Sequence, residues 1–216
     1  MTATTVIDLC SAGIVVLGLL LAVTRSISRS IWLVAAQSAL GASAAIGVGL
    51  AIGLEHLVVA GFLAMGSKVI AYPLVLRAIL RASSVSVERH PYVGPRWALV
   101  IAIAIIFAAG AATSDLALPA SLGGERALPA AIAAMLTGLF LMMSRRKVLS
   151  LLIGLLVFEN GLSLAAFALT YGMPLVVELG VLFDLLIVIV VGWVYARRML
   201  TTFGSLSTDH LRNLRG

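Results

Sequence analysis

The chain has 216 residues, 62% of them hydrophobic and only 11% charged, with a formal net charge of +6. Its mean hydropathy of +1.15 is typical of a protein that crosses a membrane several times, and it leaves no room for a separate soluble domain. In such a chain a basic excess marks cytoplasmic loops, so we predict no nucleic-acid partner. A single cysteine and three scattered histidines form no cluster for haem, zinc or iron–sulfur, so we predict no cofactor.

Seven apolar segments approach the length of roughly 20 residues that a membrane-spanning helix needs. The fifth segment is the shortest, and Pro73 in the third predicts a kink. These seven predicted spans cover residues 5–24, 31–54, 57–80, 97–113, 128–143, 148–170 and 174–196. The predicted fold is therefore an all-α integral membrane protein with seven transmembrane helices.

The distribution of basic residues predicts the orientation of these helices. Thirteen of the fifteen basic residues follow the first, third, fifth and seventh spans, whereas Arg126 lies between spans on the other side and Lys68 lies inside a span. Short loops rich in arginine and lysine stay in the cytoplasm. We therefore predict an outside N-terminus and a cytoplasmic C-terminus.

We predict one membrane domain, residues 1–216, with three parts. Residues 1–96 hold three helices and a turn-rich cytoplasmic loop, residues 97–126 hold a connector helix and an outer loop, and residues 127–216 hold three helices and a tail. The two sets of three helices have the same predicted orientation, which leaves open a parallel internal repeat, although their residues match poorly.

Five of the polar residues inside the predicted spans are the candidates for function: Gln37, Lys68, Glu159, Glu178 and Asp184. A charged side chain in hydrocarbon costs about 3 kcal/mol, so such residues usually face a bundle interior, a partner or water. At a rise of about 1.5 Å per residue, Lys68, Glu159 and Asp184 fall near the bilayer midplane, and Glu178 lies roughly 9 Å closer to the outside.

Two interpretations of these charges stay open. In the first, two carboxylates and an amine at one depth pass a proton sideways when water links them, which makes an ion path of Glu159, Asp184 and Lys68. In the second, Lys68 only pairs with a carboxylate and fixes the packing. Glu178 ranks lower because the start of a helix stabilises an acid without any function. Next to Glu159, we expect Asn160 to bond the carboxylate or nearby backbone and Gly161 to admit another helix.

The C-terminal part of the chain resembles the small three-helix subunit of respiratory complex I, the chain 4L or K type, and the Mrp antiporter subunit of C type. The features that carry the resemblance are the basic run 145–147, the apolar stretch 152–155 and an intramembrane acid, with Asp184 thirteen residues before Arg197. One feature departs from the pattern. Aligned on the two arginines, the family's glutamate position holds Leu156, and Glu159 follows about one turn later on nearly the same face.

Over its whole length the chain is similar to the hydrogenase-4 component E family, through the Glu159-Asn160-Gly161 motif, the Glu178-Leu179-Gly180 step and the length of 216 residues. That resemblance implies a membrane-arm subunit of a group 4 hydrogenase or formate hydrogenlyase-type complex, in a bacterial or archaeal cytoplasmic membrane. The implied partners are antiporter-like membrane subunits and a redox module on the cytoplasmic side. The implied role is proton or sodium conduction.

Other classes of function stay open beside this one. The chain has no nucleophile–base set, metal site or phosphate loop, so we predict no catalytic site of its own and at most a subunit of an oxidoreductase-type complex. The alternatives are a purely structural membrane anchor, an Mrp-type cation/proton antiporter component, or a small transporter that works alone.

Overall fold

The computed structural model describes residues 3–82, 91–114 and 124–170, together with positions 186, 190, 192–194 and 197–198. The described elements are all helical. In chain order they are α1 (Ala3–Val23), α2 (Ile27–Ile52), α3 (Glu55–Ala64), a π segment (Met65–Ala71), α4 (Tyr72–Ala82), α5 (Pro95–Thr113), α6 (Gly124–Ser144) and α7 (Val148–Thr170).

Six helical stretches in the described residues are long and apolar enough to cross a membrane. They coincide with the first six predicted spans, because α3, the π segment and α4 join into one span from Glu55 to Arg81. The seventh predicted span, 174–196, lies outside the described residues except for five helical positions. The all-helical, multi-pass prediction is confirmed for the described part, and the orientation of the termini stays a prediction.

The ends of α2 show how local sequence sets helix bounds. The Ser26 hydroxyl caps the start by accepting a hydrogen bond from the Arg29 amide at 3.5 Å, and Gly53 ends the helix with a φ of +73°. Serine is a preferred N-cap, and glycine adopts the left-handed conformation without a steric penalty. The helix therefore begins four residues before the apolar segment from which it was predicted.

The third span changes its hydrogen-bond pattern where Lys68 lies. Residues Met65–Ala71 form a π-helix, and the Tyr72 amide donates to the Ser67 carbonyl five residues earlier. Pro73 follows directly, and proline lacks an amide proton and crowds the carbonyl four residues before it. The predicted irregularity at Pro73 is thus a short π-helical stretch, a feature often found at functional sites.

Helices α6 and α7 form the tightest pair among the described helices, and glycines make their contact possible. A Cβ added to Gly138 would overlap the backbone nitrogen of Phe158, and one added to Gly161 would lie 2.6 Å from the nitrogen of Met135. Small residues allow membrane helices to approach backbone to backbone. The expectation that Gly161 admits a neighbouring helix is confirmed, and that neighbour is α6.

Arg145 joins the turn between α6 and α7 to the end of α1. Its side chain is 9% exposed, and its Nη2 lies 3.0–3.2 Å from the carbonyl oxygens of Leu21, Ala22 and Thr24. The last carbonyls of a helix lack partners within the helix, and a guanidinium is a strong donor for them. The ends of α1 and α6 and the starts of α2 and α7 therefore lie at one end of the bundle.

Two apolar clusters fill the bundle, one toward each end. The first lies on the side of Arg145 and contains Leu21, Ile31, Tyr72, Leu149 and Val157 among others. The second, toward the opposite end, is built from smaller groups: Ile7, Ile14, Val48, Ala131 and Leu164 are among its members. In α1, α2 and α7 the sequence passes from one cluster to the other, and buried polar residues of α2 and α7 lie between them.

We predict that Gly138→Ala separates α6 from α7 and destabilises the fold by about 3 kcal/mol, the upper range for overpacking a tight contact. Gly110→Ala on α5 is the matched control, because a Cβ there meets no atom within 4 Å. The measurement is the fraction of each variant that stays soluble after a mild detergent extract is heated. Equal loss of the two variants would contradict the prediction.

Candidate functional site

A layer of polar side chains lies between the two apolar clusters and is called the polar layer here. Its members are Gln37, Ser38, Lys68, Glu159, Asn160 and Ser163. Ser38 and Glu159 are each eleven residues from the start of their helix, or about 17 Å along the axis. Because α2 and α7 start at the same end of the bundle, the two residues share one depth, close to the middle of a hydrocarbon core of about 30 Å.

Lys68 and Glu159 form an ion pair in this layer, between Nζ and Oε1, and each side chain is 8% exposed. Lys68 also donates a hydrogen bond to the Ser163 hydroxyl at 3.3 Å. The second carboxylate oxygen of Glu159 is buried without a hydrogen-bond partner among the described residues. The sequence predicted that Lys68 and Glu159 share a depth, and in the structure the two side chains are also in direct contact.

Gln37, Asn160 and Ser38 form a second set of hydrogen bonds beside the ion pair. Gln37 is fully buried, and its Nε2 donates to the Ile14 carbonyl at 3.0 Å. Asn160 Nδ2 donates to Gln37 Oε1 at 3.2 Å and to Ser38 Oγ at 3.0 Å, and Ser38 Oγ lies 3.1 Å from Asn160 Oδ1. The set joins α1, α2 and α7 at mid-depth.

The carbonyl of Ile14 fixes which way both amides point. A carbonyl only accepts, so the Gln37 amide nitrogen must face it, which turns Gln37 Oε1 toward Asn160. Asn160 must then present its own nitrogen to Gln37. Asn160 therefore bonds side chains of α2, rather than the carboxylate or nearby backbone that the sequence led us to expect.

The position of Glu159, one turn after the place expected from the complex I resemblance, has a packing reason. Leu156, which occupies that place, is 3% exposed and belongs to the apolar cluster on the Arg145 side. The acid one turn later lies past the end of that cluster, at the depth of Lys68. The one-turn displacement therefore puts Glu159 level with Lys68, its basic partner.

The structure brings together three of the five candidate residues, Gln37, Lys68 and Glu159. Asp184 and Glu178 lie outside the described residues. Sequence reasoning missed Ser38 and Ser163, since a serine in a membrane helix usually bonds its own helix backbone. It also missed Tyr72, one turn after Lys68, which is 2% exposed and close enough to Glu159 for an electrostatic interaction.

A second ion pair lies near the opposite end of the bundle from Arg145. Arg126 at the start of α6 approaches Asp8 in α1 at 3.6 Å, and the arginine side chain is 78% exposed. An exposed pair of this length contributes at most about 1 kcal/mol. It serves as a marker of the bundle end where α1 and α6 meet.

We predict that Lys68→Met destabilises the fold by about 3–5 kcal/mol, because it leaves the Glu159 carboxylate buried without its partner. Adding Glu159→Leu to that variant should recover most of the loss, since a buried ion pair replaced by two apolar groups is often neutral. Heat resistance of the chain in mild detergent extracts of the single and double variants measures both effects. A double variant weaker than Lys68→Met would contradict the assignment of the pair.

Comparison with known proteins gives two groups of relatives. The chain is 30% identical over 210 residues to the uncharacterized protein Rv0085 of Mycobacterium tuberculosis. The aligned region covers 97% of this chain and 96% of that protein. It is 27% identical over 162 residues to hydrogenase-4 component E of Escherichia coli K12, 75% of each chain, and equally so to that of Shigella flexneri. No protein-family model and no solved structure matches the chain.

Proposed function

Since the chain belongs to the family of the mycobacterial protein Rv0085 and is a distant homologue of hydrogenase-4 component E, we propose that it is a membrane-arm subunit of a hydrogenase-type, complex I-related assembly. Within that assembly it contributes part of a path for protons. The chain performs no redox chemistry itself. Antiporter-like membrane subunits and a redox module on the cytoplasmic side are the proposed partners.

The observation that carries the proposal is the Lys68–Glu159 ion pair at mid-depth. Two charges whose transfer to the bilayer centre costs about 3 kcal/mol each indicate a role beyond hydrophobic anchoring alone. An acid and an amine in contact can exchange a proton when the charge on a neighbouring group changes. We propose Asp184 as the next acidic station beyond Glu159 and Glu178 as an acid nearer the outer surface.

Lys68 is placed to extend the path toward the N-terminal helices. It lies in the π segment between α3 and α4, and Gln37 of α2 joins the same layer through Asn160. A sodium path through this layer is less well supported than a proton path, because the Lys68 ammonium repels sodium at close range. The proposal is therefore for protons.

The same ion pair supports a structural anchor as a second candidate function. Direct contact between Lys68 and Glu159 neutralises both charges, and the Ser163 bond adds to the fixed geometry. A buried polar group in that role specifies which helices pack together. The two functions differ in one respect, namely whether Glu159 must change its protonation state during turnover.

We predict that Glu159→Gln leaves the complex assembled and lowers its coupled proton transport by about tenfold or more, as expected for loss of a proton-transfer group. Glutamine keeps the size and hydrogen bonds of the side chain and removes its charge. Glu55→Gln, at the exposed start of α3, is the matched control and should transport protons at the parental rate. The measurements are subunit content after purification and proton uptake into vesicles.

Parental transport by an assembled Glu159→Gln complex would reject the proton path and leave the anchor as the better account. Loss of assembly in that variant would also favour the anchor, since the charge would then be needed for packing.

A further inference from the structure

A small cavity adjoins the polar layer on the side of α2 and α3. Its volume is about 30 Å³, and four of its lining residues are polar: Ser38, Lys68, Asn160 and Ser163. The other lining residues are small or apolar and come from α2, α3 and α7: Gly41, Ala42, Ala45, Ala64 and Leu164. A site of roughly 10–15 Å³ with two to four polar partners is sufficient for one buried water.

The lining side chains have hydrogen-bonding capacity left over after their bonds to one another. The Lys68 ammonium has three N–H groups and, among the residues that the structure describes, uses two, on Glu159 and Ser163. Ser163 Oγ accepts from Lys68, which leaves its own hydroxyl proton free to donate. Two donors, Lys68 of the π segment and Ser163 of α7, therefore adjoin the cavity.

The other two polar side chains that line the cavity supply acceptors. Both amide protons of Asn160 are used on Gln37 and Ser38, whereas its Oδ1 has two lone pairs and, within the described part of the chain, meets only Ser38. Ser38 Oγ likewise keeps one lone pair after its exchange with Asn160. Two donors and two acceptors are the complement of one water molecule, which accepts two hydrogen bonds and donates two.

We propose that this cavity is an internal hydration site, which holds one or two waters that join the Gln37–Asn160–Ser38 set to the Lys68–Glu159 pair. The inference rests on the proposed proton path, because it names the species through which Lys68 exchanges protons with the rest of the layer. The water accepts from Lys68 and Ser163 and donates to Asn160 Oδ1 and Ser38 Oγ. When this water passes a proton to a second water in the site, it takes one from the Lys68 ammonium; the first water stays neutral, Lys68 becomes a neutral amine, and the positive charge moves to the second water.

The donor set favours water over other small ligands. A metal cation would lie beside the Lys68 ammonium, which opposes it, and the lining residues that the structure describes include no carboxylate. An apolar molecule would leave the spare donors and acceptors buried without partners, which is unfavourable for each group. Water satisfies all four at once.

The test fills the cavity from two of its walls. A Cβ on Gly41 meets no atom within 4 Å, so Gly41→Leu can project into the cavity from α2, and Ala64→Leu can do so from α3. Gly110→Leu is the matched control, since Gly110 also has open space around its Cβ and does not line the cavity. The assembled complex in lipid nanodiscs is imaged by cryo-electron microscopy at a resolution that shows buried waters, and proton uptake is measured in parallel.

We expect density within hydrogen-bond distance of Lys68 and Asn160 in the parental and Gly110→Leu maps, and no such density in the cavity-filling variants. Proton uptake should fall about tenfold in those variants alone. A parental map that shows waters elsewhere but none here overturns the hydration site, even when Glu159→Gln lowers transport. Parental proton uptake in a cavity-filling variant overturns the link between the waters and Lys68. Parental uptake in Glu159→Gln, with reduced uptake in the cavity-filling variants, rejects the proton path instead.

Discussion

The cost of holding Lys68 and Glu159 at the middle of a membrane is the constraint on which the rest of the bundle depends. Each charge alone costs about 3 kcal/mol at that depth, so the two must meet. Their meeting requires the third span and α7 each to place one residue at the same level, with the two side chains facing each other. The tight packing of α6 against α7 at Gly138 and Gly161 holds α7 in position for that contact.

The π segment has a place in the same arrangement. A switch from four-residue to five-residue hydrogen bonding changes the direction in which the following side chains point, and Lys68 lies within that switch. Pro73 favours the irregular hydrogen bonding by removing one amide donor. The segment thus combines a position suited to a buried cation with a backbone that can alter its hydrogen bonds locally.

Apolar length alone predicted the six described spans, because a bilayer imposes helix lengths of about 20 residues. Depth was also predictable, since it depends only on counting residues from a helix end, and that count put Lys68 at one level with Glu159 and Asp184 without showing which carboxylate it meets. The rotation of each helix about its own axis was not predictable. Helices that are apolar all round carry no amphipathic signal, so the sequence could not show that Asn160 faces Gln37 and Ser38. The role of Arg145 was missed for a related reason: its partners are backbone carbonyls, which every residue has.

The proposed proton path requires the buried carboxyl group of Glu159 to change its protonation state. Infrared difference spectra of the complex in lipid, recorded between alkaline and acid buffer, test this directly. We expect a protonated-carboxyl band that grows as the pH falls and is missing from the Glu159→Gln spectrum but present in that of Glu55→Gln. Parental and Glu159→Gln spectra that are identical in the protonated-carboxyl region at every pH at which the complex stays assembled would contradict it.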